Sequence, residues 1–167
     1  MSKDKGKGGG GKAAPADGVK VIATNRRARF EFQVEDRFEA GLALTGSEVK
    51  SLRAGNISLS DAYAMPKGEE LILVNCRIGE YSPAAQFGHA PLRDRKLLMH
   101  RAEIAKIRGK VEHRGYTLVP LQLYFKAGWA KVELGLAKGR SHEDKRDVIA
   151  ERETNREIDR AMSKRRR

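Results

Sequence analysis

Apolar and polar positions alternate in several stretches of the chain. Phe30, Phe32 and Val34 alternate with Glu31, Gln33 and Glu35, the two-residue period of a half-buried strand. Leu42 and Leu44 fit a second strand, or the same one continued past Gly41. Ser47 can cap a short helix carrying Val49 and Leu52 and stopped by Gly55. Leu59 to Met65 reads as a strand, Pro66-Lys67-Gly68 as a turn and Leu71 to Ile78 as a returning strand, together a hairpin. Residues 80–94 hold Pro83, Gly88 and Pro91 and read as a long loop. His100 to Arg108 reads as a helix ended by Gly109, with Leu97, Ile104 and Ile107 on one apolar side. Tyr116 to Phe125 reads as a strand despite Pro120. Gly128 makes a turn, and Trp129 to Leu136 alternates again through Val132, Leu134 and Leu136. About six short strands and two helices predict a mainly β fold, with an OB-like antiparallel barrel the leading form.

Charge changes this picture by dividing the chain. The 167 residues carry 34 Lys and Arg against 22 Asp and Glu, a net +12. Residues 1–20 and 138–167 supply +7 of it and hold few bulky apolar groups. Neither end can bury enough surface to offset its ordering entropy. The expected organisation is a flexible basic arm (1–20), a barrel domain (21–137) and a basic C-terminal tail (138–167), disordered when free. An excess of this size points to nucleic acid before any other partner. No apolar run reaches the roughly 18 to 20 residues of a membrane helix, and Met1 to Lys12 has no apolar core of a secretory signal. A cytoplasmic, non-membrane protein is expected.

Catalytic chemistry finds little support. Gly6 and Gly11-Lys12 nearly spell a phosphate-binding loop, but Ala13 stands where Ser or Thr must hold magnesium, and no strand precedes it. The one cysteine, Cys76, lies in an apolar strand and rules out a disulfide framework. His89, His100, His113 and His142 stand at separations that match no metal motif. No catalytic residue, metal site or cofactor is expected.

An RNA surface finds more. Asn25-Arg26-Arg27-Ala28-Arg29 opens the domain, Lys50 and Arg53 share one face of the short helix, and Arg93, Arg95 and Lys96 end the long loop. Tyr81, Phe87, Tyr116 and Trp129 could stack on unpaired bases or pack in the core. In the tail, Arg152, Arg156, Arg160 and Lys164 recur every four residues, one basic ridge on a helix, with Glu153 and Glu157 in the row beside it. Composition fits either a solvated helix stitched by ion pairs or an arm that folds along an RNA backbone.

These motifs resemble the SsrA-binding protein family, also called small protein B. The resemblance rests on Asn25-Arg26-Arg27-Ala28, on Gly41-Leu42-Ala43-Leu44-Thr45-Gly46-Ser47-Glu48-Val49-Lys50-Ser51-Leu52-Arg53 and on Arg95-Lys96-Leu97-Leu98. It continues through Gly115-Tyr116-Thr117-Leu118-Val119-Pro120 and Ala137-Lys138-Gly139 to Asp144-Lys145-Arg146. It implies an OB-like closed antiparallel β-barrel with flanking short helices. It implies a non-enzymatic, monomeric adaptor that binds the tRNA-like domain of transfer-messenger RNA and carries it to stalled bacterial ribosomes for trans-translation. The protein body would stand at the decoding centre, and the tail would form a helix in the empty mRNA channel. Carried over by position, RNA binding falls on Glu39, Leu98 and Lys131, with Asn25, Arg26, Lys50 and Arg53 in support. Ribosome contacts fall on Lys138, Arg140, Asp144, Lys145, Arg146, Arg152, Arg156 and Arg160. The tail departs from the family pattern at Gly139-Arg140-Ser141, at Ile149-Ala150-Glu151-Arg152 and at Thr154, where some relatives carry an aromatic. Two other readings stay open: a general OB-type binder of single-stranded or ribosomal RNA, and an RNA-processing enzyme using scattered carboxylates and histidines.

Overall fold

A computed structural model describes residues 18–81 and 88–165. Its strands are β1 (Val19–Thr24), β2 (Phe32–Leu42), β3 (Ile57–Ser58), β4 (Tyr63–Lys67), β5 (Glu70–Val74), β6 (Arg77–Ile78), β7 (Arg95–Leu98), β8 (Thr117–Lys126) and β9 (Trp129–Gly139). Its helices are α1 (Arg26–Glu31), α2 (Gly46–Arg53), α3 (Arg101–Arg114) and α4 (His142–Arg165). The architecture is mainly β with flanking helices. All strand pairs are antiparallel. Pairing runs β8–β4–β5–β7–β2–β9, and β9 pairs in turn with β8. β1 lies along the C-terminal half of β8, and β3 pairs separately with β6. The inward residues of β2, β5, β7, β8 and β9 share one core with Leu52 of α2 and Ile104 and Ile107 of α3.

Several boundaries differ from the sequence expectation, each for an identifiable physical reason. Val19 to Thr24, expected to straddle arm and barrel, is strand β1, ordered by its pairing with β8. The rest of the expected arm, with the Gly6–Lys12 motif, lies outside the described residues, as does Phe87. Phe30 belongs to helix α1, because the Asn25 side chain accepts the Ala28 N–H and starts a helical turn before the alternation takes over at Phe32. The stretch Leu59 to Met65 breaks at a turn in which Ala62 N–H bonds Leu59 C=O. The hairpin turn falls at Gly68, not Pro66, with Pro66 opposite Leu71. Helix α3 passes through Gly109 and ends at Gly115, which takes φ 66° as its left-handed cap. Val111 packs on the core and outweighs the roughly 1 kcal/mol penalty of a mid-helix glycine.

The strongest polar anchor is Glu48. Thr45 and Glu48 form a capping box at the start of α2. Glu48 is fully buried and accepts from Arg95 Nε at 2.9 Å and from Arg93 Nε and Nη2 at 3.0 and 2.8 Å. Arg95, also fully buried, donates to Cys76 and Arg93 carbonyls as well. Burial alone would raise the Glu48 pKa, but the hydrogen bonds from Arg93 and Thr45 and the charges of both arginines bring it down to about 2. Ser51 donates to Gly79 C=O at 2.6 Å, and Leu52 is fully buried. Much of the long motif over residues 41–53 therefore folds the domain, while Lys50 and Arg53 are its exposed cations.

Candidate nucleic-acid interface

Three neighbouring strands set the geometry of the outer face. Gly41 of β2 stands opposite Leu98 of β7 on one side and Lys131 of β9 on the other, and Lys131 stands opposite Tyr124 of β8. Val132, Leu134 and Leu136 point inward, so Lys131 points outward. Glu39, two residues from Gly41, shares that face. Glu39, Leu98 and Lys131, distant in sequence, thus line one groove of about 510 Å³, together with Gly41, Met99, His100 and Glu103. Gly41 keeps its floor open, since a Cβ there would stand 3.3 Å from Leu98 Cβ.

Glu39 braces the groove's cations. Its Oε1 accepts from Lys131 Nζ at 2.9 Å, its Oε2 accepts from the Tyr124 hydroxyl, and Lys126 Nζ lies 3.7 Å away. The Tyr124 hydrogen bond, then that of Lys131, hold the Glu39 carboxyl below its ordinary pKa, so it is charged at neutral pH. Burial, then the adjacent carboxylate, push the Tyr124 phenol above its ordinary value. Glu39 thereby fixes Lys131 in place. Leu98 is half exposed beside them and offers an apolar surface to a ribose or base.

The other predicted residues are dispersed. Lys50 and Arg53 are exposed on α2, Lys50 with its ammonium 5.5 Å from the Tyr81 ring centre. Arg26 is exposed at the start of α1. Asn25 corrects the expectation: it is buried, and its amide donates to Leu59 C=O at 2.9 Å and Pro120 C=O at 3.0 Å while its oxygen caps α1. Every polar atom of that side chain is consumed by the fold. Tyr116 donates to Glu35 and lies under Lys138, 4.6 Å from its ring centre.

In the tail, Arg140 is tied to the domain by its N–H to Glu31 C=O (2.8 Å) and its Nε to Phe32 C=O (3.3 Å). Asp144 is engaged with Ser141, whose N–H and hydroxyl both donate to it at the start of α4. Lys145 is half-buried, while Arg146, Arg152, Arg156 and Arg160 are exposed. Arg152 lies 5.5 Å from the Phe30 ring centre and sets α4 against α1. Among the described residues no ion pair joins two α4 side chains, so the basic ridge is not neutralised by its own glutamates. Sequence reasoning missed Tyr124 and Lys126. Their alternation with inward Leu123 and Phe125 was visible, but the β8–β9 register that sets them beside Glu39 was not.

Cys76 is fully buried, and burial pushes its thiol up to about 11. Among the described residues no group of His, Cys, Asp and Glu is arranged to hold a metal, and no helix is long and apolar enough to cross a membrane. A lysine held by a carboxylate in an open groove of an antiparallel sheet, with a second lysine beside it and a basic helical extension, fits a nucleic-acid-binding module. The model of the SmpB protein family matches residues 22–164, and the chain belongs to that family. A relative from Anaeromyxobacter sp. (strain Fw109-5), named SsrA-binding protein, is 72% identical over 159 residues, 95% of this chain and 96% of the relative. One of the same name from Myxococcus xanthus (strain DK1622) is 63% identical, covering 89% and 91%. A solved structure described as "tmRNA-SmpB: a journey to the center of the bacterial ribosome" aligns with TM-score 0.62 and 44% identity, covering 76% of this chain and 93% of that one.

Proposed function

We propose that this chain is an RNA-binding adaptor that holds the tRNA-like domain of transfer-messenger RNA and delivers it to stalled ribosomes for trans-translation. It works in the cytoplasm, as a monomer and without catalysis. The observation that carries the reading is the convergence of Glu39, Leu98 and Lys131 from three strands into one groove. The ring of pairings from β8 through β4, β5, β7, β2 and β9 supports an OB-like closed barrel as the scaffold. Lys131 supplies the charge for a phosphate, Glu39 orients it, and Leu98 packs on sugar or base.

Lys131→Ala tests this directly. It removes one cation from the groove, so affinity for transfer-messenger RNA falls and the slope of log affinity against log salt decreases by about one. Lys131 is half-buried and its one ion pair is with the partly exposed Glu39, so the substitution costs folding stability about 1 kcal/mol or less. An unchanged binding curve with an unchanged melting curve removes the groove from the RNA site.

For the whole protein, binding is dominated by counterion release. With about five to eight phosphates neutralised, affinity drops by orders of magnitude between about 50 and 200 mM salt. A dissociation constant that stays flat across that range, measured by filter binding, contradicts the electrostatic reading.

A further inference from the structure

The largest exposed apolar side chain of the β-sheet lies just beyond the groove. Trp129 opens β9 and is 73% exposed. A two-residue turn, Ala127 (φ 50°) and Gly128 (φ 81°), joins it to Lys126 directly opposite. Positive φ at both central residues is the tight turn whose twist matches paired strands, so the indole sits on a rigid hairpin rather than a mobile loop. Trp129 and Lys131 are two residues apart on one strand and share its outward face, about 7 Å from each other. Tyr124 and Lys126 of β8 and Val21 of β1 lie on the same side of the sheet, because Val21 pairs with Tyr124 and Val19 with Lys126; Tyr124 itself is buried there. Val21 is 46% exposed. Lys126 in turn approaches Glu39 at 3.7 Å. The indole and the groove therefore share one side of the sheet, with two lysines between the indole and Glu39.

An indole at this exposure gains nothing from core packing. Its position suits a flat apolar partner joined to phosphate, since cations flank it on one side. Aromatic side chains on a sheet beside lysines are the arrangement on which unpaired bases stack. We propose that Trp129 is a stacking platform for an unpaired nucleotide of the RNA, with Lys126 placed for the phosphate next to that base. The inference rests on the RNA reading of the Glu39–Lys131 groove and adds a second contact of a different kind. A phosphate held at Lys131 and a splayed base on Trp129 would engage one RNA at two points, which favours RNA with unpaired nucleotides over uniform duplex.

Trp129 is the chain's one tryptophan, so its fluorescence reports this site alone. The full chain is titrated with the tRNA-like domain of transfer-messenger RNA transcribed in vitro, and separately with a fully paired RNA duplex. Saturable quenching is expected with the first RNA, with the dissociation constant that filter binding gives, and little quenching with the duplex. Trp129→Ala should weaken binding of the tRNA-like domain about five- to hundredfold with its melting curve unchanged. Trp129→Phe should recover most of that loss. Absence of quenching, or full affinity in Trp129→Ala, overturns the stacking proposal. If Lys131→Ala still weakens binding in that case, the groove reading stands alone; if it does not, both fall. A loss that phenylalanine does not recover assigns the indole to hairpin packing and overturns stacking. An emission already blue-shifted in the free chain at low concentration means that the residues before Gly18 cover the face. A blue shift that grows with protein concentration means that a second copy does. Either result overturns the proposal.

Discussion

Replacing Glu48 by alanine should lower the melting temperature by about 6 to 20 °C. The carboxylate is fully buried between two guanidinium groups, one of which, Arg95, is itself without exposed surface. Removing one partner of such a cluster strands the remaining charge, which costs about 3 to 5 kcal/mol. For a domain of this size each kcal/mol moves the melting temperature by about 2 to 4 °C. A pH limb goes with it. The Glu48 pKa is about 2 in the fold against an ordinary 4.5, so the folded state favours the ionised form. That contribution, about 3 kcal/mol, is complete above pH 4.5 and is lost as pH falls from there toward 2. The wild-type melting temperature should therefore drop across that window, and in Glu48→Gln the drop should be smaller. A melting curve that Glu48→Ala leaves unmoved refutes the account of the cluster as an anchor.

Ending the chain at Ser141 should abolish tagging on stalled ribosomes while leaving affinity for transfer-messenger RNA nearly intact. The sequence pattern places the start of the tail at Lys138. However, β9 pairs with β2 through Gly139, and Arg140 is bonded to the Glu31 and Phe32 carbonyls. A cut at 137 would damage the strand that carries Lys131; a cut after Ser141 removes α4 alone. The groove residues lie on β2, β7, β9 and the start of α3 with the link before it, and none is on α4. The helix itself is exposed along most of its length and has no ion pairs between its own side chains among the described residues. Helix nucleation makes such a segment marginal alone, and a phosphate-lined channel would repay its ordering through the Arg152, Arg156 and Arg160 ridge. Filter binding and a peptide-tagging assay on stalled ribosomes read the two outcomes. Lost RNA affinity would place α4 in the RNA clamp, and surviving tagging would leave its basic spacing without a role.

Sequence periodicity carried the mainly β class, the β4–β5 hairpin and the inward rows of β8 and β9, because alternation is a local property. What it could not carry was set by contacts between distant segments. The α1 turn depends on Asn25 reaching Leu59 and Pro120, 34 and 95 residues away. The same dependence misdirected the reading of Asn25, whose place in a basic run suggested a surface role. Gly109 looked like a helix stop because packing of Val111 is invisible until the core exists. Glu39, Leu98 and Lys131 were named through family resemblance, and no spacing in the sequence joins them. The cross-strand register does, through Gly41. Glu48 was legible as part of a motif but not as an anchor, since its partners Arg93 and Arg95 lie some 45 residues on.

Strand β9 also acts as a ruler. It is one uninterrupted strand, with Lys131 near its start and Gly139 at its end, and only Arg140 and Ser141 separate it from α4. Eight residues of strand fix a span of roughly 25 Å between the groove and the point where the tail departs. Pairing with β2 on one edge and β8 on the other prevents that span from stretching or coiling. Adding or removing one residue would change the length by about 3 Å and also invert which side chains face out beyond the change. The distance from a held RNA to the helix that leaves the domain is thus quantised, and in this fold lengthening it without loss of the groove takes residues in pairs.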